Sequence, residues 1–392
     1  MSGESLAQSR VSIVQPGGLL AILGGGQLGR MTAMAARTMG YRVRVMDPEP
    51  ACPASFFADE TIVGRWEDAD AARRLAAGAS AVTLEIEQIG VDALAQVAAL
   101  APLRPGVEPV RIIQDKTLQK SWLAEHGFPI GPFRIVRSEA DLHQAVAALG
   151  GRVFLKIGRG GYDGRGQARI GLDAPATEES IAAAWSSIGK KPAVAEQALD
   201  LDFEISVMAA RNPAGELRSF PAARNHHVNQ ILEWSVLPAG IPAEIESRAQ
   251  ALASAISDAL CIEGLLCAEI FVTRQGQLFV NELAPRPHNS YHQSERGCAT
   301  SQFEQLVRTT CNLPLGDTSL LTPCAIVNLL GDEWLNRSTP PNFAAALQVP
   351  GVRLHLYEKH TPRAGRKMGH LSSVGATADE ALERVLDAKS RL

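Results

Sequence analysis

Apolar positions along the chain fall into two spacings. Residues 19–23 (Leu-Leu-Ala-Ile-Leu) are an unbroken apolar run, as expected of a strand covered on both faces. Beyond Gly24-Gly25-Gly26, Met31, Met34, Ala35 and Met39 recur at helical spacing. Strand, glycine turn and helix are predicted in that order. Residues 41–46 and 81–86 read as further strands, with a helix around 69–77 between them. Alternating elements of this kind predict a parallel α/β unit over residues 17–120.

A helical pattern over 116–127 is broken by Phe128-Pro129-Ile130-Gly131-Pro132, which marks a boundary. A strand over Val153–Ile157, a glycine-rich loop, a helix over Glu178–Ser187 and a strand over Ala193–Gln197 follow. Next comes a larger α+β region with strands near 203–209, 265–274 and 277–283 and a helix over 242–260. A last unit, residues 317–392, is expected to hold short strands over 325–330 and 353–357, a basic loop and a helix over 379–392. The middle region divides into a smaller part, 121–199, and a larger one, 200–316, and the polar residues 1–16 read as a disordered tail. No internal repeat is visible.

Composition narrows the function classes. A chain of 392 residues with 46% hydrophobic content has core material for several compact units. Lys and Arg number 38 against 42 Asp and Glu, a net charge of -4, which leaves no positive field for a nucleic acid. No run approaches the roughly 18 apolar residues of a membrane span, so no membrane partner is expected and a cytoplasmic protein is. The cysteines (Cys52, Cys261, Cys267, Cys298, Cys311, Cys324) form no C-x-x-C pair and read as small buried side chains.

Candidate chemistry begins at Gly24-x-Gly26-x-x-Gly29, which with Asp47 satisfies the dinucleotide fingerprint formally. A nicotinamide site, another anionic ligand at the helix N-terminus, or plain tight turning all fit it. After Lys156, five glycines follow within ten residues, interleaved with Arg159 and Arg165. The lysine precedes the glycines, so this is no P-loop; a phosphate lid or a flexible hairpin are the two readings. Further on, if Gln275-Gly276 is a two-residue turn, Arg274 faces Gln277 and, counting back, Glu269 faces Glu282. Opposed side chains lie about 5 Å apart, where like charges destabilise a sheet. A shared Mg²⁺ would remove the conflict; a coupled or outward-turned pair is the alternative. Glu196 and Glu204 are placed to accept from ribose hydroxyls or to be ordinary surface. Arg286 and His288-Asn289-Ser290 follow Glu282 closely. Lys359, His360, Arg363, Arg366, Lys367 and His370, with Gly365 and Gly369, form either a solvated basic loop or a second phosphate site. Two phosphate sites imply two substrates.

In this order, Gly-Gly-Tyr-Asp-Gly-Arg-Gly-Gln (160–167), Glu-Gln-Ala-Leu (196–199), Asn-Glu-Leu-Ala-Pro-Arg-Pro-His-Asn-Ser (281–290) and Gly-Arg-Lys-Met-Gly-His (365–370) resemble the 5-(carboxyamino)imidazole ribonucleotide synthetases, an ATP-grasp family of purine biosynthesis. The turn at 24–30 and Thr-Leu-Glu-Ile-Glu (83–87) fit as well. The resemblance implies an ATP-grasp fold with an N-terminal, biotin-carboxylase-like α/β domain and a small C-terminal domain, assembled as a homodimer. It implies ATP between the two middle subdomains, with Lys116 and Lys156 near its phosphates. Gly161, Tyr162, Asp163, Gly164, Arg165, Gly166 and Gln167 would form the lid. Glu196, Gln197, Ala198 and Leu199 would line the adenine, Glu204 the ribose, and His227 would be the nucleotide-site histidine. Asn281 and Glu282 with Glu269 would hold Mg²⁺. Aminoimidazole ribonucleotide would lie among Gln27, Leu28, Glu85 or Glu87, Tyr162, Arg165, His288, Asn289, Ser290, Lys359, Arg366 and Lys367.

The implied reaction carboxylates that ribonucleotide with ATP and bicarbonate through carboxyphosphate, with Lys156, Arg286, Glu269 and Glu282 as its catalytic groups and Arg286 holding bicarbonate. Another ATP-grasp ligase acting through an acyl phosphate, an NAD-linked dehydrogenase and a non-enzymatic ATP sensor are the alternatives. One departure stands out: Tyr291 follows His-Asn-Ser where the family carries glycine, and it is expected to narrow the substrate site.

Overall fold

The computed structural model describes residues 12–161, 166–335 and 339–392. The run Leu19–Leu23 is buried at every position because strands lie on both sides of it and helices cover both faces. It pairs in parallel with Arg42–Asp47 and Ala81–Leu84, and Glu60–Val63 completes the sheet beyond Arg42–Asp47. The helix Gln27–Thr38 packs Ala33 and Ala36 on one face of this sheet, and Ala69–Ala76 and Val91–Leu100 cover the other. Residues 12–16 are docked, contrary to the expected tail: Val14 N–H donates to the Cys311 carbonyl at 2.9 Å, and Tyr41 Oη donates to the Val14 carbonyl at 2.7 Å. Residues 1–11 lie outside the described residues.

The smaller middle sheet is antiparallel, in the order Phe133–Val136, Ala193–Gln197, Val153–Ile157, Gln167–Ile170. Helices Glu139–Ala148 and Glu178–Ser187 cover one face, each started by a reciprocal cap, Ser138 with Asp141 and Thr177 with Ser180. The other face is left for the lysine that the second sheet meets.

That second sheet has nine strands. Its path runs Leu278–Ala284, Gly264–Thr273, Leu201–Arg211, Ala223–Val228, Ile231–Leu237, Cys324–Leu330, Lys367–Val374, Arg353–Leu356, and Leu217–Ser219 pairs with Leu201–Arg211 off the path. The helix Ala243–Ala259 buries Ala249, Ala253 and Ile256 against it. The last unit therefore has no sheet of its own; it continues the middle one through the pairing of Ile231–Leu237 with Cys324–Leu330. The last third of the predicted basic loop, 367–370, is in fact strand: Lys367–Val374 lies inside the sheet, and its Gly369 is there because a Cβ would stand 2.4 Å from the His355 carbonyl oxygen. Five of the six cysteines are buried as expected, but Cys261 is exposed, at a left-handed φ of +49° after the helix Ala243–Ala259.

A shared sheet predicts shared unfolding. Leu329 is fully buried between Cys324–Leu330 and the helix Ala378–Ser390. Leu329→Ala is expected to cost about 2–5 kcal/mol in urea unfolding. Amide exchange of Ile231–Leu237 should accelerate together with that of Lys367–Val374; acceleration confined to residues 324–392 would show that the C-terminal unit unfolds by itself.

Candidate active site

The glycine turn of the N-terminal domain is already filled by the protein. Glu85, at the end of the neighbouring strand, accepts the Gly26 N–H at 2.5 Å and the Gly29 N–H at 2.7 Å, so its carboxylate sits where an anion would meet the helix N-terminus. Cβ atoms on Gly24 and Gly26 would stand 2.3 and 2.5 Å from Glu85, and one on Gly29 2.4 Å from the Gly24 carbonyl oxygen. Asp47 accepts from Gly25 and Glu49 N–H groups. The fingerprint is thus explained by internal packing, and a dinucleotide has neither its pyrophosphate cradle nor its ribose carboxylate.

The large sheet carries the opposed carboxylates. Glu269 and Glu282 are direct cross-strand partners. The register reaches that pairing through two departures from simple counting. Thr273 N–H bonds the Gln277 carbonyl, so the turn is three residues long with Gly276 at φ +71°. A bulge between Glu269 and Ile270 then leaves Asn281 without a partner across the ladder and restores the register. Asn281 consequently turns to the same face: its Oδ1 accepts from Lys156 Nζ at 3.0 Å and its Nδ2 donates to Glu269 at 3.3 Å.

Cations surround the pair. Lys116 Nζ lies 2.5 Å from Glu282, and His288 Nε2 3.1 Å from Glu269. Burial alone would push His288 down, but Cys267 and the Glu269 carboxylate beside it raise it, so it pairs with Glu269 as an imidazolium. Glu269 is held far below the usual carboxylate range, the penalty of burial being outweighed by His288, His227 and Lys116. Lys156 Nζ, from the smaller sheet, donates to Glu196 at 3.0 Å. Lys120, one turn after Lys116 on the helix Lys116–Glu125, lies 3.5 Å from the same carboxylate. Sequence reasoning missed Lys120; its four-residue spacing from Lys116 was the available signal.

Glu204 and His227 meet across neighbouring strands at 2.7 Å, while His226 stacks on Trp234, so His227 is the histidine of the pair that faces the site. Arg286 donates through Nε and Nη2 to both oxygens of Glu87 and through Nη1 to the Pro287 carbonyl. Gln27 accepts from Lys359 Nζ at 2.7 Å, joining the glycine turn to the C-terminal loop, and Leu28 packs with Met31, Phe303 and Tyr357. Arg366 Nη1 donates within its own loop to the Thr361 carbonyl, and the Lys367 carbonyl accepts from Lys359. Ser290 is tied to His288 and Ser206, whereas the buried Asn289 amide has neither its donor nor its acceptor paired.

Tyr291 does not narrow this site. Its ring is fully buried beside Phe220, and its hydroxyl takes the Met208 N–H and reaches the Ser206 and Pro221 carbonyls. Gly166 has a left-handed φ of +71° and its carbonyl accepts from the Ile157 N–H; of the residues expected to form a lid, Gly161, Gly166 and Gln167 flank Tyr162, Asp163, Gly164 and Arg165, which lie outside the described residues. A groove of about 730 Å³ opens elsewhere, against Leu118, Ser121 and Trp122 on the other face of the helix bearing the lysines, and contains none of this chemistry.

Comparison with known proteins assigns the architecture. Residues 19–114 match the ribonucleotide synthetase preATP-grasp domain, 121–303 the ATP-grasp domain and 324–384 the phosphoribosylaminoimidazole carboxylase C-terminal domain. The chain is 40% identical over 361 residues to the N5-carboxyaminoimidazole ribonucleotide synthase of Brucella melitensis, covering 92% of this chain and 97% of that one. The chain belongs to the N5-carboxyaminoimidazole ribonucleotide synthase family. Solved structures of the family superpose throughout. An N5-carboxyaminoimidazole ribonucleotide synthetase in its ADP complex gives a TM-score of 0.90 at 37% identity, covering 96% of this chain and 97% of that chain. The Aspergillus clavatus synthase in complex with ADP and 5-aminoimidazole ribonucleotide gives 0.86 at 28% identity, covering 96% and 99%.

As a synthase of this family the chain is an ATP-dependent ligase with the ATP-grasp fold, and the dehydrogenase and sensor readings fall away. Within the synthase, Gln197 and Ala198 N–H groups are engaged by the Pro132 and Arg152 carbonyls, and the Glu196 carboxylate faces the lysines. The adjoining Leu199 is half-buried at the strand's end.

Glu196 gives a pH prediction. Burial alone would raise its carboxyl, but Lys120 and Lys156 carry it down from 4.5 to about 2 on folding. Its stabilisation is complete above about pH 5 and is lost as the pH falls toward about 2. Wild type should therefore exceed Glu196→Gln by about 2 kcal/mol in urea unfolding near neutral pH, with the gap closing on acidification. A gap that does not change with pH would show that the ion pairs are not its source.

Proposed function

We propose that the protein carboxylates 5-aminoimidazole ribonucleotide with ATP and bicarbonate, giving N5-carboxyaminoimidazole ribonucleotide, ADP and phosphate in purine biosynthesis. The observation that carries this reading is the face on which Glu269, Asn281 and Glu282 meet Lys116 and Lys156. Three oxygen donors in one place, two of them carboxylates about 5 Å apart, fit Mg²⁺ shared with nucleotide phosphates. Bound there by Glu269, Glu282 and Asn281, Mg²⁺ supplies charge neutralisation for phosphoryl transfer.

The residues of the chain do the rest. Lys116 and Lys156 exchange their protein carboxylates for the β- and γ-phosphates. A bicarbonate oxygen attacks the γ-phosphorus; the new O–P bond forms as the bond to ADP breaks, giving carboxyphosphate. Positioning and fixed positive charge, more than covalent help, lower this barrier. Arg286 holds bicarbonate with the two guanidinium N–H groups that Glu87 and Pro287 leave open. The exocyclic amine of the ribonucleotide then attacks the carboxyl carbon and phosphate leaves. The unpaired Asn289 amide, with Glu85, Gln27 and the loop bearing Lys359, Arg366 and Lys367, forms the site for that nucleotide. Glu196 to Leu199 and Glu204 with His227 take the adenosine. The family habit makes a cytoplasmic homodimer the expected form.

ADP release from Mg-ATP should require the ribonucleotide and rise with added bicarbonate. Release indifferent to both would transfer the assignment to another ATP-grasp ligase acting through an acyl phosphate. Glu282→Ala is expected to abolish ADP formation with the circular dichroism spectrum unchanged, and an active variant removes the metal assignment. Asn289→Ala should raise KM for the ribonucleotide about tenfold while KM for ATP holds; an unchanged KM for the ribonucleotide would take Asn289 out of the nucleotide site.

A further inference from the structure

The strands that bracket the C-terminal basic loop, Arg353–Leu356 and Lys367–Val374, place His355 directly opposite His370. Directly paired residues share a face of the sheet, and the two rings stack at 5.1 Å between centroids. Asn328 pairs with His370 from the next strand, so this face is polar although it is covered. The segment that covers it begins at the nucleotide loop, 288–290, and ends in the short helix Ser294–Gly297. From that helix Glu295 reaches the histidines: Oε2 lies 3.8 Å from His355 Nδ1, and one donor atom from each of the three residues lies within 4.8 Å of the others. Neither the ATP site nor the nucleotide site uses any of them.

Several features go beyond proximity. Two imidazoles and a carboxylate are the donor set of zinc and its transition-metal neighbours, whereas magnesium takes oxygen. His370 is fixed from behind, its Nδ1 standing 2.7 Å from the buried Tyr357 Oη, which leaves Nε2 as the ligand atom. Such an outer hydrogen bond is the usual companion of a metal-ligating histidine. Glu295 and His355 are 31% and 26% exposed, which leaves room for entry and for a water ligand. Tetrahedral zinc would hold its donors about 3.4 Å apart, closer than the 4.8 Å within which these three now lie.

We propose that Glu295, His355 and His370 form a binding site for a zinc-like divalent transition-metal ion. The ion clips the strand pair that carries Lys359, Arg366 and Lys367 to the segment that carries His288, Asn289 and Ser290, and so fixes the spacing of two walls of the nucleotide site. The site stands apart from the carboxylation reading, because it is measured as binding without nucleotide.

The test uses the full chain, free of any histidine tag, titrated with Zn²⁺ by calorimetry and with Co²⁺ by visible absorption. One ion per chain with a Kd of about 10 µM or tighter is expected, with the d–d spectrum of a nitrogen-ligated Co²⁺ ion. Glu295→Gln and His355→Ala should each weaken binding at least about tenfold, and Tyr357→Phe by about tenfold through the lost outer hydrogen bond. Because His355 and Glu295 are partly exposed, thermal melts of the Glu295→Gln and His355→Ala variants without metal should match wild type. Weaker binding by wild type, full affinity in both ligand variants, or an ion lost only in Glu282→Ala would each overturn the proposal.

Discussion

Two carboxylates, Glu269 and Glu282, face one another across the large sheet. On flanking strands buried this well, like charges at such a separation oppose folding. The surroundings answer that constraint. Lys116 is held to Glu282, His288 to Glu269, and Asn281 lies between Glu269 and Lys156. Glu196 then balances Lys156 and Lys120 from the other side. Remove the opposed pair and Lys116 loses its carboxylate, and a largely buried ammonium without a partner is costly. The bulge at Asn281 makes the arrangement possible, because regular alternation would turn residue 281 away from the face that Glu282 occupies.

Other polar pairs tie the domains together. Glu87 of the N-terminal domain holds Arg286 at the end of the large sheet, and Gln27 of the glycine turn holds Lys359 of the C-terminal loop. Both contacts are polar and both end on residues proposed to meet substrate, so the walls of the site are positioned by hydrogen bonds that a ligand can replace. The apolar anchoring lies further back. Tyr291 fastens the loop of His288 into the core through three backbone partners, a mechanical role that leaves the substrate face clear.

Much of this was legible in the sequence, and the failures have physical causes. The opposition of Glu269 and Glu282 followed from counting back along a hairpin, but the turn is one residue longer than counted and the bulge takes that residue back, so two departures cancelled. The glycine turn was legible as a turn; its occupant was not, since Glu85 lies 56 residues beyond Gly29 and only the parallel pairing of Leu19–Leu23 with Ala81–Leu84 brings it there. Lys367–Val374 hid because basic residues and glycines at its start suppress the alternation that marks a strand. Its neighbours along the sheet impose the strand, as tertiary context does for weak β-formers. Lys120 was passed over because a lysine on an amphipathic helix is usually solvated, and burial by a second sheet cannot be read from one helix.

A site balanced in this way has a consequence for how it takes its ligands. Lysines already paired with carboxylates gain little by exchanging one anion for another, so polyphosphate alone would be a weak competitor for Lys116 and Lys156 in the proposed site. On the proposed assignment, divalent cation and polyphosphate arriving together would change the balance, because the cation would neutralise Glu269 and Glu282 while the phosphates received the lysines they release. Each ligand would thereby remove the obstacle to the other, which is a coupling free energy between two binding events with no need for a change of fold. The charge pattern that balances these side chains against one another would then be the same pattern that makes the proposed site respond to the metal complex of the nucleotide in preference to either component.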